Sequence, residues 1–274
     1  SRAFDTLSWP FLFEVLHAKG FSDTWLSWIA ILLSTASSRV VVNGHVGPKF
    51  AHSQGLRQGD PASPLLFVIA MDVLTSLVTR AQESGVLSKM PGCTSMQRLS
   101  IYADDVVLFV RPTTPDLTFV KEALHIFGIA SGLNINYSKS TAIMIRDEDG
   151  DKELVAGAMP WSMDSFPCKY LGLQLSIWQL TRSEWQPIVD NVLNFMSGWQ
   201  KGMITRAGRL VLVHDVVMAR PTHHLIIADA PKWAIEQVNK RCRSFFWEGS
   251  EAIHGGKCLV AWQRVCRPKD LGGL

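Results

Sequence analysis

Leu99-Ser100-Ile101-Tyr102-Ala103-Asp104-Asp105-Val106-Val107-Leu108-Phe109-Val110 decides the reading of this 274-residue sequence. Two adjacent carboxylates stand between two apolar runs that hold no Gly and no Pro. Such runs predict strands. A pair of Asp residues between them predicts a hairpin, because Asp tolerates turn geometry and bonds back to its own backbone. Both arms are then expected in the interior, with two charges at a tight tip. Carboxylates side by side repel, and buried ones need a cation or a proton. A solvated acidic turn is the plain alternative, so the flanking sequence has to decide.

Upstream, Arg2-Ala3-Phe4-Asp5 sets one more carboxylate after a short apolar segment. Pro10 to Gly20 predicts a helix, with Pro in its first turn, Gly past its end, and Phe11, Val15 and Leu16 on one face. Ser22 can cap a second helix running to Ala36. Arg39 to Val42, Asn43-Gly44 and Val46 onward predict a hairpin with a tight Asn-Gly turn. Gly55 to Pro64 is a loop with two Gly and two Pro, feeding a mostly buried helix that ends near Ser84-Gly85. Glycine lets backbone approach a ligand closely, and a helix N-terminus offers N–H groups to phosphate. Alone, Gln-Gly-x-x-x-Ser-Pro is a weak signal, and a plain helix start accounts for it better.

Downstream, Pro115 to Ala130 is amphipathic, with Leu117, Val120, Leu124 and Phe127 on one face. Gly132–Asn136 and Thr141–Ile145 predict two short strands around Tyr137-Ser138-Lys139-Ser140. Residues 146–168 predict a surface loop, and Lys169–Leu175 a strand. Helical periodicity then covers about 181–197, 205–220 and 231–247.

Hydrophobic residues make up 47% of the chain, ample for a core, and the net charge is +3. That charge is uneven: residues 1–194 carry 15 Lys and Arg against 18 Asp and Glu, and residues 195–274 carry 12 against 6. An acidic front and a basic tail suit a metal-bearing body joined to a polyanion-gripping appendage; they also suit ordinary surface variation. Five scattered cysteines (Cys93, Cys168, Cys242, Cys258, Cys266) without a Cys-x-x-Cys pair point to a reducing intracellular compartment. The spacing of His254, Cys258 and Cys266 fits no standard zinc site. The longest apolar run, Trp25 to Leu33, is too short to span a bilayer, so no membrane partner is expected.

Five motifs occur in a fixed order. They are Asp5 after its apolar segment, Gln58-Gly59-x-x-x-Ser63-Pro64 before a helix, Tyr102-Ala103-Asp104-Asp105 in a hairpin, Gly132-Leu133-x-Ile135-Asn136-x-x-Lys139, and Tyr170-Leu171-Gly172. Together they resemble the reverse transcriptase of non-LTR (LINE-type) retrotransposons, in the form common in plants. Gly198-Trp199-Gln200, Arg206 to Leu210 and Pro268 to Leu274 extend the resemblance. Arg2 and Ala62 depart from it, standing where lysine and leucine are usual.

The resemblance implies an α+β fold. Residues 1–175 would be a right-hand polymerase palm, an antiparallel sheet packed on helices with the Asp5 strand beside the Asp104-Asp105 hairpin. Residues 176–250 would form a helical thumb-like region, and 251–274 a polar, truncated C-terminal segment. Only four residues precede Asp5, so the fingers are expected to be missing and synthesis by this piece alone to be slight. It implies two Mg²⁺ ions, replaceable by Mn²⁺, with Asp5 and Asp104 as direct ligands and Asp105 in support. Phe11, Arg57, Gln58, Gly59, Ser63, Pro64 and Tyr102 would contact nucleotide or template, with Trp9 or Phe11 as the ring that excludes the ribose 2′-hydroxyl. Lys139 would lie near the triphosphate as a general acid. Leu171 and Gly172 would be primer-grip-like, and basic helices beyond residue 195 would neutralise duplex phosphates. Trp199, Trp233, Trp247 and Trp262 are expected in the thumb core.

The implied function is RNA-templated DNA synthesis from dNTPs on a DNA primer, in the nucleus or cytoplasm. The alternative is a truncated, inactive remnant with at most nucleic-acid binding. RNA-dependent RNA polymerases and group II intron maturases share the palm logic, but Tyr-Ala-Asp-Asp favours a DNA product and the post-thumb pattern favours the retrotransposon.

Overall fold

Local capping signals set most of the helices. The computed structural model of the chain describes residues 3–90, 97–146, 150–197, 204–250, 253 and 256–273. Arg2, Cys93, Trp199, His254 and Leu274, named above, lie outside the described residues. Two compact units divide the chain, Ser1–Asp164 and Ser165–Leu274. The 168–175 hairpin belongs to the second unit, where its second strand packs against the helix at Ala219–Leu225.

The first unit opens with a helical turn α1 (Ala3–Thr6), then α2 (Trp9–Ala18), α3 (Asp23–Ser34), β1 (Ser37–Val42) and β2 (His45–Ala51). The Ser8 and Ser22 hydroxyls accept the Phe11 and Trp25 amides, satisfying orphan donors at the starts of α2 and α3. Asn43 and Gly44 both have positive φ, as a two-residue hairpin turn of this kind requires. Next come α4 (Ser63–Glu83), β3 (Leu99–Tyr102), β4 (Asp105–Leu108), α5 (Thr114–Ser131), β5 (Thr141–Ile143), α6 (Asp151–Ala158) and β6 (Ser162–Asp164). One core cluster joins Leu12 and Leu16 of α2, Phe67, Ala70, Met71 and Leu74 of α4, Phe127 of α5 and Leu99 of β3.

By length and composition α4 is long and apolar enough to cross a membrane, which the longest-run criterion overlooked. Its stripe of Leu66, Phe67, Ala70, Met71, Leu74, Val78 and Ala81 is buried against the rest of this core. The helical spacing of the stripe accounts for its hydropathy as core packing.

The α+β class holds, but the strands differ from expectation. Among the described residues there are four two-stranded sheets and no larger one. Three are antiparallel, while β5 and β6 pair in parallel because α6 crosses between them. The predicted strand at 132–136 is coil leading to a short 3₁₀ turn, Tyr137–Lys139. The 146–168 region carries α6 and β6 rather than an uninterrupted loop.

The second unit has an antiparallel hairpin, β7 (Cys168–Tyr170) and β8 (Leu173–Leu175), where one strand was predicted. Helices α7 (Arg182–Ser197), α8 (Arg206–Val211), α9 (Ala219–Leu225), α10 (Lys232–Glu248) and α11 (Trp262–Val265) follow, with a π-helical stretch, Leu212–Val217, joining α8 to α9. Val192, Met196, Val213, Val217, Cys242 and Phe245 form its core. Trp247 is buried, Trp262 packs beside it, and Arg182 lies 5.0 Å over the Trp233 ring.

Sequence reading missed one buried ion pair. The Arg98 and Asp116 side chains are 1% and 0% exposed and approach to 3.7 Å. Asp116 also accepts the Ser88 amide at 3.1 Å and the Ser88 hydroxyl at 2.8 Å, and Arg98 donates to the Ser88 carbonyl. The Arg98 carbonyl accepts the Phe109 amide at 2.8 Å, so the pair ties the base of the β3–β4 hairpin to the start of α5. Removing one partner strands a buried charge. Asp116→Ala should therefore cost about 3–5 kcal/mol in urea unfolding, and the Arg98→Met, Asp116→Leu double variant far less.

Candidate functional site

Asp5 lies on a short helical turn whose backbone is held from two sides. On one side the Gly55 amide donates to the Leu7 carbonyl at 2.8 Å and the Leu56 amide to the Phe4 carbonyl at 2.6 Å. On the other the Ser8 amide donates to the Ser131 carbonyl at 2.8 Å, where α5 ends in left-handed Gly132. A Cβ on Gly55 would stand 2.6 Å from the Asp5 carbonyl oxygen, and one on Gly132 would stand 2.3 Å from that of Thr6. Below the turn, Phe4 stacks on Phe67 with ring centroids 4.5 Å apart, and Leu7 is fully buried. The expected strand at Asp5, beside the β3–β4 hairpin, is therefore absent. The Phe4 and Leu7 carbonyls that could have extended a ladder are taken by the 55–56 loop.

That loop continues into Arg57, Gln58 and Gly59, all exposed. The Gln58 side-chain amide donates to the Asp5 carboxylate at 3.1 Å, bringing together two residues singled out in the sequence. Ser63 is buried in the first turn of α4 and Pro64 follows, exposed. Asp60, which the sequence reading passed over, orders the bend: its carboxylate accepts the Ala62 amide at 2.8 Å. An acidic group just ahead of a helix also suits the helix dipole. The Asp-Pro pair two residues before Ser63 is the signal that could have identified it.

The hairpin at 99–108 forms in the predicted place, but its turn is one residue earlier. Tyr102 pairs with Asp105, so Ala103 and Asp104 make the turn and Asp105 opens β4. Ala103 takes φ +52°, a conformation that costs an L-residue about 1–2 kcal/mol. Leu99 alone of the arm residues is buried, contrary to the expectation of two buried arms. With only each other as strand neighbours among the described residues, the two strands bury what faces α4 and leave the rest to solvent. Asp104, Asp105 and Tyr102 are exposed at the tip.

These carboxylates are hard oxygen donors of the kind Mg²⁺ takes, one or two at a time, together with substrate phosphates. They are not drawn into a closed cluster. Among the described residues no three His, Cys, Asp or Glu side chains lie close enough to hold a metal ion. The expected meeting of Asp5, Asp104 and Asp105 is therefore not preformed, since the Asp5 carboxylate is engaged by Gln58 and the hairpin tip stands in solvent. Burial pushes the Cys242 thiol up to about 11, and Cys266 raises it further.

Neither candidate ring stands free. Phe11 meets Phe127 edge to face, with centroids 5.9 Å apart, and the Trp9 indole N–H donates to the Gly55 carbonyl at 2.7 Å. Lys139 is exposed on its 3₁₀ turn. Leu171 and Gly172 form the tip of the β7–β8 hairpin, both with positive φ, and the His223 ring lies 3.3 Å from the Leu171 carbonyl oxygen.

The family model described as "Reverse transcriptase (RNA-dependent DNA polymerase)" matches residues 1–175. The "Transposon TX1 uncharacterized 149 kDa protein" of Xenopus laevis is 27% identical over 93% of this chain and 19% of its own length. A "Retrovirus-related Pol polyprotein from type-1 retrotransposable element R2" of Popillia japonica is 34% identical over 39% of this chain and 17% of its own. The corresponding type-2 R2DM polyprotein of Drosophila melanogaster is 22% identical over 89% and 23%. The chain thus spans about a fifth of the length of these relatives.

The clamp on the Asp5 turn yields a direct expectation. Gly55→Ala combines a left-handed φ of +81° with a Cβ against the Asp5 backbone. It should lower stability by at least about 1–2 kcal/mol from the dihedral alone, and break the Gln58–Asp5 hydrogen bond. Thermal unfolding, together with the Gln58 side-chain amide signals in an NMR spectrum, checks both.

Proposed function

The chain belongs to the reverse transcriptase (RNA-dependent DNA polymerase) family, and we propose that it adds deoxynucleotides to a DNA primer on an RNA template, as part of a non-LTR retrotransposon polyprotein. The observation that carries this reading is the Gln58–Asp5 hydrogen bond. It joins two motifs 53 residues apart in one exposed place, where a nucleotide can reach both.

In this reading Asp5, Asp104 and Asp105 hold Mg²⁺ once substrate phosphates supply the remaining oxygens. The bound ions would activate the primer 3′-hydroxyl and stabilise the departing pyrophosphate. The chain's own residues do the rest by placement and charge. Gln58 and Gly59 line the nucleotide, and the open space at Gly59, where an added Cβ would meet nothing within 4 Å, leaves room for it. Arg57 faces the phosphates, and Tyr102 and the Ser63-Pro64 start of α4 border the template base. Lys139 gives the leaving pyrophosphate a cation and a proton. Leu171 and Gly172, at a tip made of two left-handed residues, steady the primer end. Basic residues of the second unit, among them Arg206, Lys240 and Arg243, meet duplex phosphates, with an affinity that falls as salt rises.

A second reading, nucleic-acid binding without synthesis, is favoured by one observation: among the described residues, no three acids close into a metal group. Primer extension separates the two. With Mg²⁺, an RNA template and dNTPs, slow extension is expected, and Asp104→Asn should reduce it by about 100-fold or more while hybrid binding persists. Hybrid binding with extension no faster than that of Asp104→Asn would select the second reading.

A further inference from the structure

Of the two rings near the Asp5 turn, Trp9 has the more specific contact. Its indole N–H is held at 2.7 Å by the carbonyl of Gly55, 46 residues away in sequence. Gly55 is buried and has a left-handed φ of +81°, so its carbonyl direction is set by a conformation that a glycine adopts readily. The same residue donates its amide to Leu7, and the next one donates to Phe4. Three hydrogen bonds therefore fasten Gly55-Leu56 to the 4–9 segment, and only one of them comes from a side chain. Two residues beyond, the chain reaches Gln58, whose amide meets the Asp5 carboxylate.

We propose that Trp9 is a positioning residue that sets the distance between the Asp5 carboxylate and the nucleotide loop at Arg57-Gln58-Gly59. The inference rests on the functional reading above, and deepens it by giving Trp9 a role other than excluding the 2′-hydroxyl. The physical argument is leverage. Asp5 and Gln58 are both exposed, and a hydrogen bond between exposed groups is worth little by itself, because water competes for both partners. What keeps the two side chains in register is the half-buried bond behind them, out of water's reach on one side. Once that bond is lost, the backbone pairs at Gly55 and Leu56 hold the loop alone and open more often, so the loop loosens where it turns toward Gln58. A nucleotide entering beside Asp5 must exchange the Gln58 amide from carboxylate to ligand. A fixed loop makes that exchange a side-chain rotation, whereas a loose one must first be ordered.

Trp9→Phe keeps an aromatic ring and deletes the N–H, so it isolates the bond from the packing. Hydrogen exchange on the 274-residue chain reads the loop, and equilibrium binding of dTTP with Mg²⁺ reads the site. We expect exchange at the Gly55 and Leu56 amides to quicken, and dTTP affinity to weaken, each by roughly two- to tenfold, the worth of one net hydrogen bond. Amides of the α4 core such as Ala70 should stay as protected as in the parent chain, a result that a general loss of stability would not give. Unchanged exchange at Leu56, or a loosened loop with unaltered dTTP affinity, would overturn the proposal. Failure of the parent chain itself to bind dTTP with Mg²⁺ would instead overturn the functional reading, and the positioning role with it. The two failures are therefore distinguishable.

Discussion

Everything at the candidate site depends on the close approach of backbone to backbone around Asp5. A four-residue helical turn is too short to hold itself together, since forming the first turn fixes several dihedrals for a single hydrogen bond. Its order comes from outside. Gly55 and Leu56 cap it from one side, Ser131 closes on it from the other, and Leu7 and Phe4 anchor it in the core. Two glycines in left-handed conformations make the fit possible, because a side chain at either would strike a carbonyl oxygen. The 55–56 loop and the end of an amphipathic helix are thus fastened to the Asp5 turn chiefly by main-chain hydrogen bonds, with the Trp9 indole adding one from a side chain.

Electrostatics explains the rest of the arrangement. Adjacent carboxylates at Asp104 and Asp105 are tolerable because they sit in water, where two charges about 4 Å apart repel by only about 1 kcal/mol. In the interior the same pair would need a cation. The chain shows that second solution elsewhere, at Asp116, with Arg98 and two donors from Ser88 around it. Asp116 is buried beside the Arg98 cation with Oδ1 accepting from Ser88, whereas the acids of the Tyr-Ala-Asp-Asp motif are exposed.

The helices were legible because their signals are local. Pro10, Gly20 and Ser22 mark ends by chemistry that acts within a turn, and the α4 stripe repeats at the helical period. Two hairpins were legible to within a residue, since Asn43-Gly44 and Asp104 sit at turns, but register depends on which partner residues pair, and Ala103 took a strained position while β7–β8 was read as one strand. Long-range features were not readable in this way. Nothing in the spacing of Arg98 and Asp116 announces an ion pair, and nothing near Trp9 announces a carbonyl 46 residues away. The motif order supplied the family where physics alone gave only an acidic hairpin. It also suggested a strand at Asp5 that the loop at Gly55 pre-empts.

The central claim is that Asp5, Asp104 and Asp105 become one divalent-cation site when a nucleotide is present. Paramagnetic broadening by Mn²⁺ tests it most directly, because the effect falls steeply with distance from the ion. With dTTP present, the account predicts that the amide signals of Asp5, Asp104 and Asp105 broaden together at the same low Mn²⁺ concentration. Broadening confined to Asp104 and Asp105, with the Asp5 signal still sharp at saturation, would contradict it.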